Sequence, residues 1–486
     1  MHAQPSPPLA VRKVDRSVYF VSSLEESICL LSRLRLGVCP GNAGGVRKCV
    51  DTAGAGLVEC AMAKTFREWS VQQQLLLPPS VLDFVPPDHL AHFVRDTVAE
   101  ELDLSAIVET YDEERGYPPY HPVMMTALLL YAYCQRIYSS RRIARACAER
   151  VDFMAVTALQ RPDFRTIATF RRRHLAPLRA LFQQVLVLCR RAGLVRLGHV
   201  ALDGTKIRAN ASKHKAMSYR RMQEREPALA AEVARWLAEA EATDTREDGE
   251  HGPERRGDEL PAWVANKQEK LAKIRAAKAA LEAEARAAGP PDAPPPPPAT
   301  AQRNFTDPES RIMKGPDGFV QAYNAQIAVD AGSQVIVAEH VTAAATDVQA
   351  LPTLLAQIKA NTGRQAQEVS ADAGYCSTAN LQALQRRHIR GYIAVGRQRH
   401  GQPAPEGARP LPPGSLVAAM RARIKRAGHR SRYRLRKITV EPVFGQMKAA
   451  RGFRQFALRG LAKVQGEFTL LATAHNLLKL AAARGT

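Results

Sequence analysis

Glu441 stands nearly alone as an acid. Between Arg397 and Lys463 there are 17 Lys and Arg residues and two acids, Glu406 and Glu441. A carboxylate in that field is either a counter-ion for its neighbours or a group that works beside a polyanion. Val440, Val443, Phe444 and Met447 recur around it at helical spacing, and Lys448 follows two turns along the same face. A helix with one acid and one base on a single face can hold a metal beside a phosphate if other segments supply partners. Asp203 ends the apolar run HVAL, and Asp372 ends EVSA. An acid on so apolar a strand is costly unless it meets a cation, a metal or backbone donors. The plainer reading of Asp203-Gly204 is a hairpin turn. Three carboxylates suit Mg²⁺, which takes oxygen ligands and keeps several waters. Two such ions about 3.5–4 Å apart can activate a nucleophile and stabilise a leaving oxygen in phosphodiester chemistry.

These acids must be carried by strands and a helix that converge. His199 to Leu202 reads as a strand, with alternation continuing through Thr205, Ile207 and Ala209. FVQAYNAQIAVD and QVIVAEHVT alternate about a Gly332-Ser333 turn, and ALPTLLAQIKANTG is a helix ended by Gly363. EVSADAGYCS and GYIAVGR are strands. Residues 396–428 read as a basic loop before the Glu441 helix, and the last apolar helix covers residues 467–480. The order is mixed α/β, so acids at strand ends and on a neighbouring helix can meet at one sheet edge.

Upstream the pattern is helical. Asp88 is positioned to cap a helix through Leu102, and His121-Pro122 opens the next. Ser139 and Ser140 can cap SRRIARACAER. Thr166 can cap a long helix bent at Pro177. Short capped helices with many Arg suit either a helix-turn-helix unit or a plain bundle with a solvated basic face. In the first case Arg141, Arg142, Arg145, Arg171, Arg172 and Arg173 face DNA. Residues 215–300 interrupt the α/β pattern with two long Ala/Glu/Arg/Lys helices, an antiparallel pair, and a polyproline linker. Asp307, Glu309 and Asp317 beyond them read as ordinary turn acids. Residues 1–61 lack periodicity and read as a poorly ordered extension, with Met62 as the functional start.

The 486 residues carry a formal net charge of +22, which favours nucleic acid over an anionic membrane, since no long apolar run or signal peptide stands out. The eight cysteines form no CxxC pair and read as free thiols. The chain is expected in the cytoplasm.

The segments ALDGTKIRANASK, NFTDPESRIMK, GFVQAYNAQIAVD, SADAGY and TVEPVFGQMK together resemble the DDE transposases of bacterial insertion sequences, of the IS4/IS5-like superfamily and most of all the IS1182 family. HPVMMTALLLYAY and FRTIATFRRRH resemble that family's amino-terminal domain. The resemblance implies an RNase H-like catalytic domain, a mixed sheet flanked by helices, over residues 196–212 and 301–486. A helical, helix-turn-helix-like DNA-binding domain covers residues 62–195, and a helical insertion residues 213–300. By position, Asp203, Asp372 and Glu441 are the catalytic, metal-binding triad, for two Mg²⁺ ions that Mn²⁺ can replace. Lys206, Arg141, Arg142, Arg171, Arg172, Tyr433, Arg436 and Lys448 are the implied DNA contacts. Superfamily members place Tyr seven and Arg four residues before the Glu, and Lys seven after. Lys448 fits, whereas Tyr433 and Arg436 sit one residue early. The implied activity is cleavage of element ends and joining of the 3′-OH to target DNA, by a nucleoid-associated protein that is a homodimer in its active complex. The alternatives are a catalytically inactive or repurposed DNA-binding protein, or an RNase H-like nuclease without strand transfer.

Overall fold

The structure, a computed structural model, describes residues 80–111, 119–251, 262–290, 295–315, 318–396, 412, 414–427 and 430–485, with two short strands nearer the start. The chain divides after Leu77 into two units. In the first, β1 (Cys49–Val50) and β2 (Leu57–Val58) pair antiparallel. Asp317 lies outside the described residues, as does nearly all of the extension read over residues 1–61.

The second unit opens with α1 (Leu90–Asp96), α2 (Ser105–Val108), α3 (Pro122–Cys134), α4 (Ser140–Glu149), α5 (Val151–Thr157), α6 (Phe164–Arg173) and α7 (Leu175–Arg191). Helix α3 is apolar all round and correspondingly buried. Its Pro122 stands at the first position, where no N–H is needed, and the His121 ring accepts from Val123 N–H at 3.3 Å. Two cap assignments and one bend are corrected. His89, not Asp88, caps α1, and α1 gives way to a π turn over Thr97–Glu101. Asp163 rather than Thr166 caps α6. The expected bend at Pro177 is a break at His174, whose buried ring meets the Tyr111 hydroxyl at 3.1 Å. Pro177 then falls in the first turn of α7, where proline fits without kinking.

The sheet order is β10-β9-β3-β7-β6, with β8 also on β7. Strand β3 (His199–Arg208) is followed by β4 (Ala216–Ser218), α8 (Tyr219–His251), α9 (Ala262–Ala288), β5 (Gln302–Asn304), β6 (Arg311–Gly315), β7 (Gly318–Asp330), β8 (Ile336–Thr342), α10 (Ala350–Thr362), β9 (Glu368–Ala371), α11 (Thr378–Arg386), β10 (Arg390–Ile393), α12 (Leu416–Ala427), α13 (Leu435–Gly445) and α14 (Leu461–Arg484). Strand β3 runs antiparallel to β7 on one side and parallel to β9 on the other. Strands β6 and β8 share the far edge of β7 end to end. Helices α8 and α9 pair over a small core of their own, around Met222, Ile274 and Leu281.

Part of the stretch read as a basic loop is α12. Its Met420 is buried, and Arg423 donates to the Gly391 carbonyl of β10 at 3.1 Å. Asp307 is no ordinary turn acid. It is fully buried, accepting from the Tyr323 hydroxyl at 2.8 Å and from Gly460 N–H at 3.1 Å ahead of α14. Helix α14 is buried on nearly every face and packs on α3, α7 and β8, so the helical region and the sheet share one core. Gly466 permits the approach, since a Cβ there would lie 2.5 Å from the Leu175 side chain. No helix among the described residues is long and apolar enough to cross a membrane. Four of the eight cysteines, Cys134, Cys147, Cys189 and Cys376, are free thiols here.

Candidate active site

Sheet register brings the first two acids together. His199, Val200 and Ala201 of β3 pair with Glu368, Val369 and Ser370 of β9. The same offset carried two residues further sets Asp203 beside Asp372, on strands about 4.8 Å apart. Each carboxylate is pinned by backbone. Asp203 Oδ1 accepts from Gly204 N–H at 2.9 Å, and Asp372 Oδ1 from Gly374 N–H at 2.8 Å at the start of a 3₁₀ turn.

Helix α13 crosses β3 and brings the third. Its Arg436 reaches Asp203 with one guanidinium nitrogen, 3.0 Å from Oδ2, and Glu441 with another, 2.8 Å from Oε1. The Tyr433 ring centroid lies 5.9 Å from the same guanidinium. Thus Tyr433 and Arg436, one residue out of the family spacing, still sit at the acids. Pro442, next to Glu441, has no N–H for the Ile438 carbonyl, which instead accepts from the Gln334 amide at 3.0 Å. That bond ties α13 to the turn between β7 and β8.

Burial pushes the Asp203 carboxyl up to about 6, and the charges of Asp372 and Glu441 add to the rise. Arg436 opposes it but does not win, since desolvation of a side chain only 16% exposed outweighs one ion pair. Glu441, at 43%, is far more open.

The Lys448 ammonium turns back onto β3. It donates to Thr205 Oγ1 and, at 2.9 Å, to the Lys206 carbonyl. Burial lowers its pKa, the Lys206 charge works in the same direction, and Asp203 opposes both. Lys206 itself reaches Asp347 Oδ1 at 3.4 Å.

Asp347 is the residue that sequence reading passed over. Its Oδ1 also accepts from the amides of Asn324 and Gln326, each at 2.7 Å. Gln326 in turn accepts from the buried Tyr375 hydroxyl. Burial, with the charges of Asp347, Asp203 and Asp372, holds the Tyr375 phenol well above its ordinary range, so it stays a donor. Gly204 and Gly374 make the space: a Cβ on Gly204 would lie 2.9 Å from Asp347 Oδ1, and one on Gly374 2.9 Å from its Oδ2. The available signal was the pair Asn324 and Gln326, polar residues in the buried part of β7, which must have a buried partner.

The remaining predicted side chains lie in the helical region. Arg141, Arg142 and Arg172 are exposed, and the Arg141 guanidinium stands 5.1 Å over the Phe164 ring. Arg171 is a correction. It is buried, donating to the Tyr133 hydroxyl at 3.2 Å and the Tyr138 carbonyl at 3.0 Å, because its position in α6 faces the core. Arg173 is exposed but reaches the Thr110 carbonyl at 2.6 Å.

Two family models match the chain. One described as "Transposase domain (DUF772)" covers residues 79–173, and one described as "Transposase DDE domain" covers residues 295–477. Asp372 and Glu441 fall inside the second match, whereas Asp203 falls in neither and joins them through β3. No curated protein and no solved structure matched the chain.

Proposed function

As a member of the DDE transposases, in the IS1182-type arrangement of a helical transposase domain ahead of a DDE domain, this chain is a transposase enzyme, and we propose that Asp203, Asp372 and Glu441 are the acids of its active centre. The observation that carries this reading is Arg436, which joins Asp203 to Glu441 while sheet register sets Asp372 alongside. The strand pattern supports an RNase H-like domain: an antiparallel run β3-β7-β8, then β9 and β10 laid parallel on the other side of β3.

The donor set fits Mg²⁺, being entirely oxygen. Arg436 stands as a cation between two of the three acids, and the raised Asp203 pKa marks accumulated negative charge in a poorly solvated place. Among the described residues no three acids are drawn together as a finished metal site. Glu441, the most open of them, is the arm with freedom to close. Mg²⁺ held by these three would supply charge neutralisation at the scissile phosphate and a polarised nucleophile. The residues around it do the positioning. Backbone amides fix Asp203 and Asp372, Lys448 holds β3 against α13, and Tyr375 with Gln326 and Asp347 holds the turn that bears Asp372.

The substrate on this reading is double-stranded DNA, cut at the element ends and joined through its 3′-OH to target DNA, in the cytoplasm and by a homodimer. Arg141, Arg142 and Arg172, exposed on α4 and α6, with Lys206 and Tyr433 near the acids, are the proposed DNA contacts, and the run from α4 through α5 to α6 is the proposed helix-turn-helix-like region. The test is a pair of assays with Mg²⁺: nicking of end-containing duplex, and strand transfer from precut ends. Nicking without transfer would make the protein a nuclease only. Binding with neither reaction would make it a DNA-binding protein.

A further inference from the structure

An ionised guanidinium cannot shed its proton, so when it is withdrawn from water it needs a counter-charge. Arg451, just after α13 and its π turn (Gln446–Ala450), does not find one among the described residues. Its Nη1 is buried and meets no acceptor among the described residues. Beside it opens a cavity of about 570 Å³, lined by Cys134, Gln135, Arg136, Gln446, Ala450 and Arg451. Neither arginine forms an ion pair among the described residues.

The charges around this cavity are of one sign. Burial lowers the Arg451 pKa, and Arg136 lowers it further. Among the described residues, the titratable groups that oppose this are the Cys134 thiol and the Tyr138 phenol. Burial pushes each of those up to about 12, so both stay neutral. His475, held down to about 3, and Lys479 also feel the Arg451 charge.

The frame is rigid. Arg451 N–H bonds to the Gln446 carbonyl five residues back at 2.8 Å, and its own carbonyl accepts from the Tyr138 hydroxyl at 3.1 Å. Arg136 holds a left-handed backbone, φ 65°, just after α3. A non-glycine residue there is strained, and such strain concentrates at functional positions. Turns of π helix do so as well. Lys448 faces β3, while Gln446 and Ala450, two residues to either side, face the cavity. The cavity is thus a separate place from the acids.

We propose that Arg136 and Arg451 form a binding pocket for a phosphate group. Two guanidinium forks suit its oxygens, and the Gln135 and Gln446 amides add donors at the wall. The phosphate is either a free anion or one carried on a DNA strand. The second source rests on the DNA reading above; the first does not.

Thermal melting of the full chain in chloride, and in inorganic phosphate at matched ionic strength, tests the pocket. Phosphate should raise the melting temperature saturably, and Arg136→Gln and Arg451→Met should each weaken its apparent affinity at least tenfold. Arg136 is exposed, so that variant keeps the fold if Arg451→Met does not. Duplex DNA binding across a salt series identifies the source. A slope of log K against log salt reduced by about 0.9 in the variants assigns the phosphate to DNA. An unchanged slope with a lost phosphate response assigns it to a free anion, and this arm decides even if the chain binds no DNA. The proposal is overturned if phosphate acts alike on all three proteins, or on none, and the salt slopes coincide.

Discussion

Arg436 Nη1 stands 3.0 Å from Asp203 Oδ2, and this pair sets the electrostatics of the site. Arg436 holds the Asp203 pKa below where burial and the other acids would place it. Arg436→Met removes that restraint and raises the folded-state pKa further above the ordinary value of 3.8. A carboxyl raised in this way contributes stability at low pH and loses it as pH climbs through the folded value. The variant should therefore be close to wild type at pH 4 and less stable by about 1–3 kcal/mol at pH 8. Urea melts at both pH values measure it. An equal loss at the two would mean that Arg436 contributes packing and not charge.

Each of the three acids should be needed for cleavage but not for binding. Asp203→Asn, Asp372→Asn and Glu441→Gln keep side-chain size and remove charge, so end binding should stay within about threefold while nicking falls by about 10³-fold or more. Any one of them that nicks DNA at near-normal rate leaves the proposed trio.

Asp347 should matter because three donors converge on its Oδ1. Asp347→Ala leaves the Gln326 amide without this acceptor, leaves the Asn324 amide only the Ala344 carbonyl at 3.2 Å, and frees the turn beside Asp372, at a cost of about 1–3 kcal/mol. Nicking should fall more than tenfold at temperatures where the variant is folded. Normal nicking by a destabilised variant would confine Asp347 to the scaffold.

Glu339 offers a test on β8, two strands from Asp203, to which the register joins it through Ile327. Burial pushes its carboxyl up to about 7, from an ordinary 4.5, although Thr469, Gln465 and Arg179 favour the ionised form. Its contribution is present below pH 4.5 and lost as pH rises through 7. Glu339→Gln should match wild type at pH 4 and melt higher at pH 8, with a ceiling of about 3 kcal/mol. Parallel melting curves at the two pH values would contradict the burial argument.

The two strand-end acids were legible because an Asp closing an apolar run must meet something. The Glu441 helix was legible from its apolar spacing. Arg436 was visible only as one residue off a family position, since a flexible side chain can close a gap that spacing along the helix leaves open. Arg171 was misread because FRRRH looks uniformly solvated, whereas α6 turns one of its three arginines inward. Helix α12 was hidden by its charge: RARIKRA reads as a basic loop until β10 gives Met420 a surface to cover. Asp347 had no local pattern at all, and its importance comes from Asn324 and Gln326 some twenty residues earlier.

Lys448 is the residue whose expected behaviour changes most once the fold is known. From spacing alone it extends along the helix towards a phosphate one or two nucleotides from the cut. In the fold, two of its three N–H groups are taken by Thr205 and by the Lys206 carbonyl of β3, and the ammonium is partly buried. A lysine used in this way fixes the strand that bears Asp203. Lys448→Met should cost about 1–2 kcal/mol of stability, because it strands two acceptors. It should slow nicking and leave the salt dependence of end binding unchanged. A solvated surface lysine would change neither stability nor rate. A phosphate contact would reduce the slope of log K against log salt by about 0.9. Measuring melts, nicking rates and a salt series on the one variant separates the three roles, and a slope reduced by that amount would return Lys448 to the DNA.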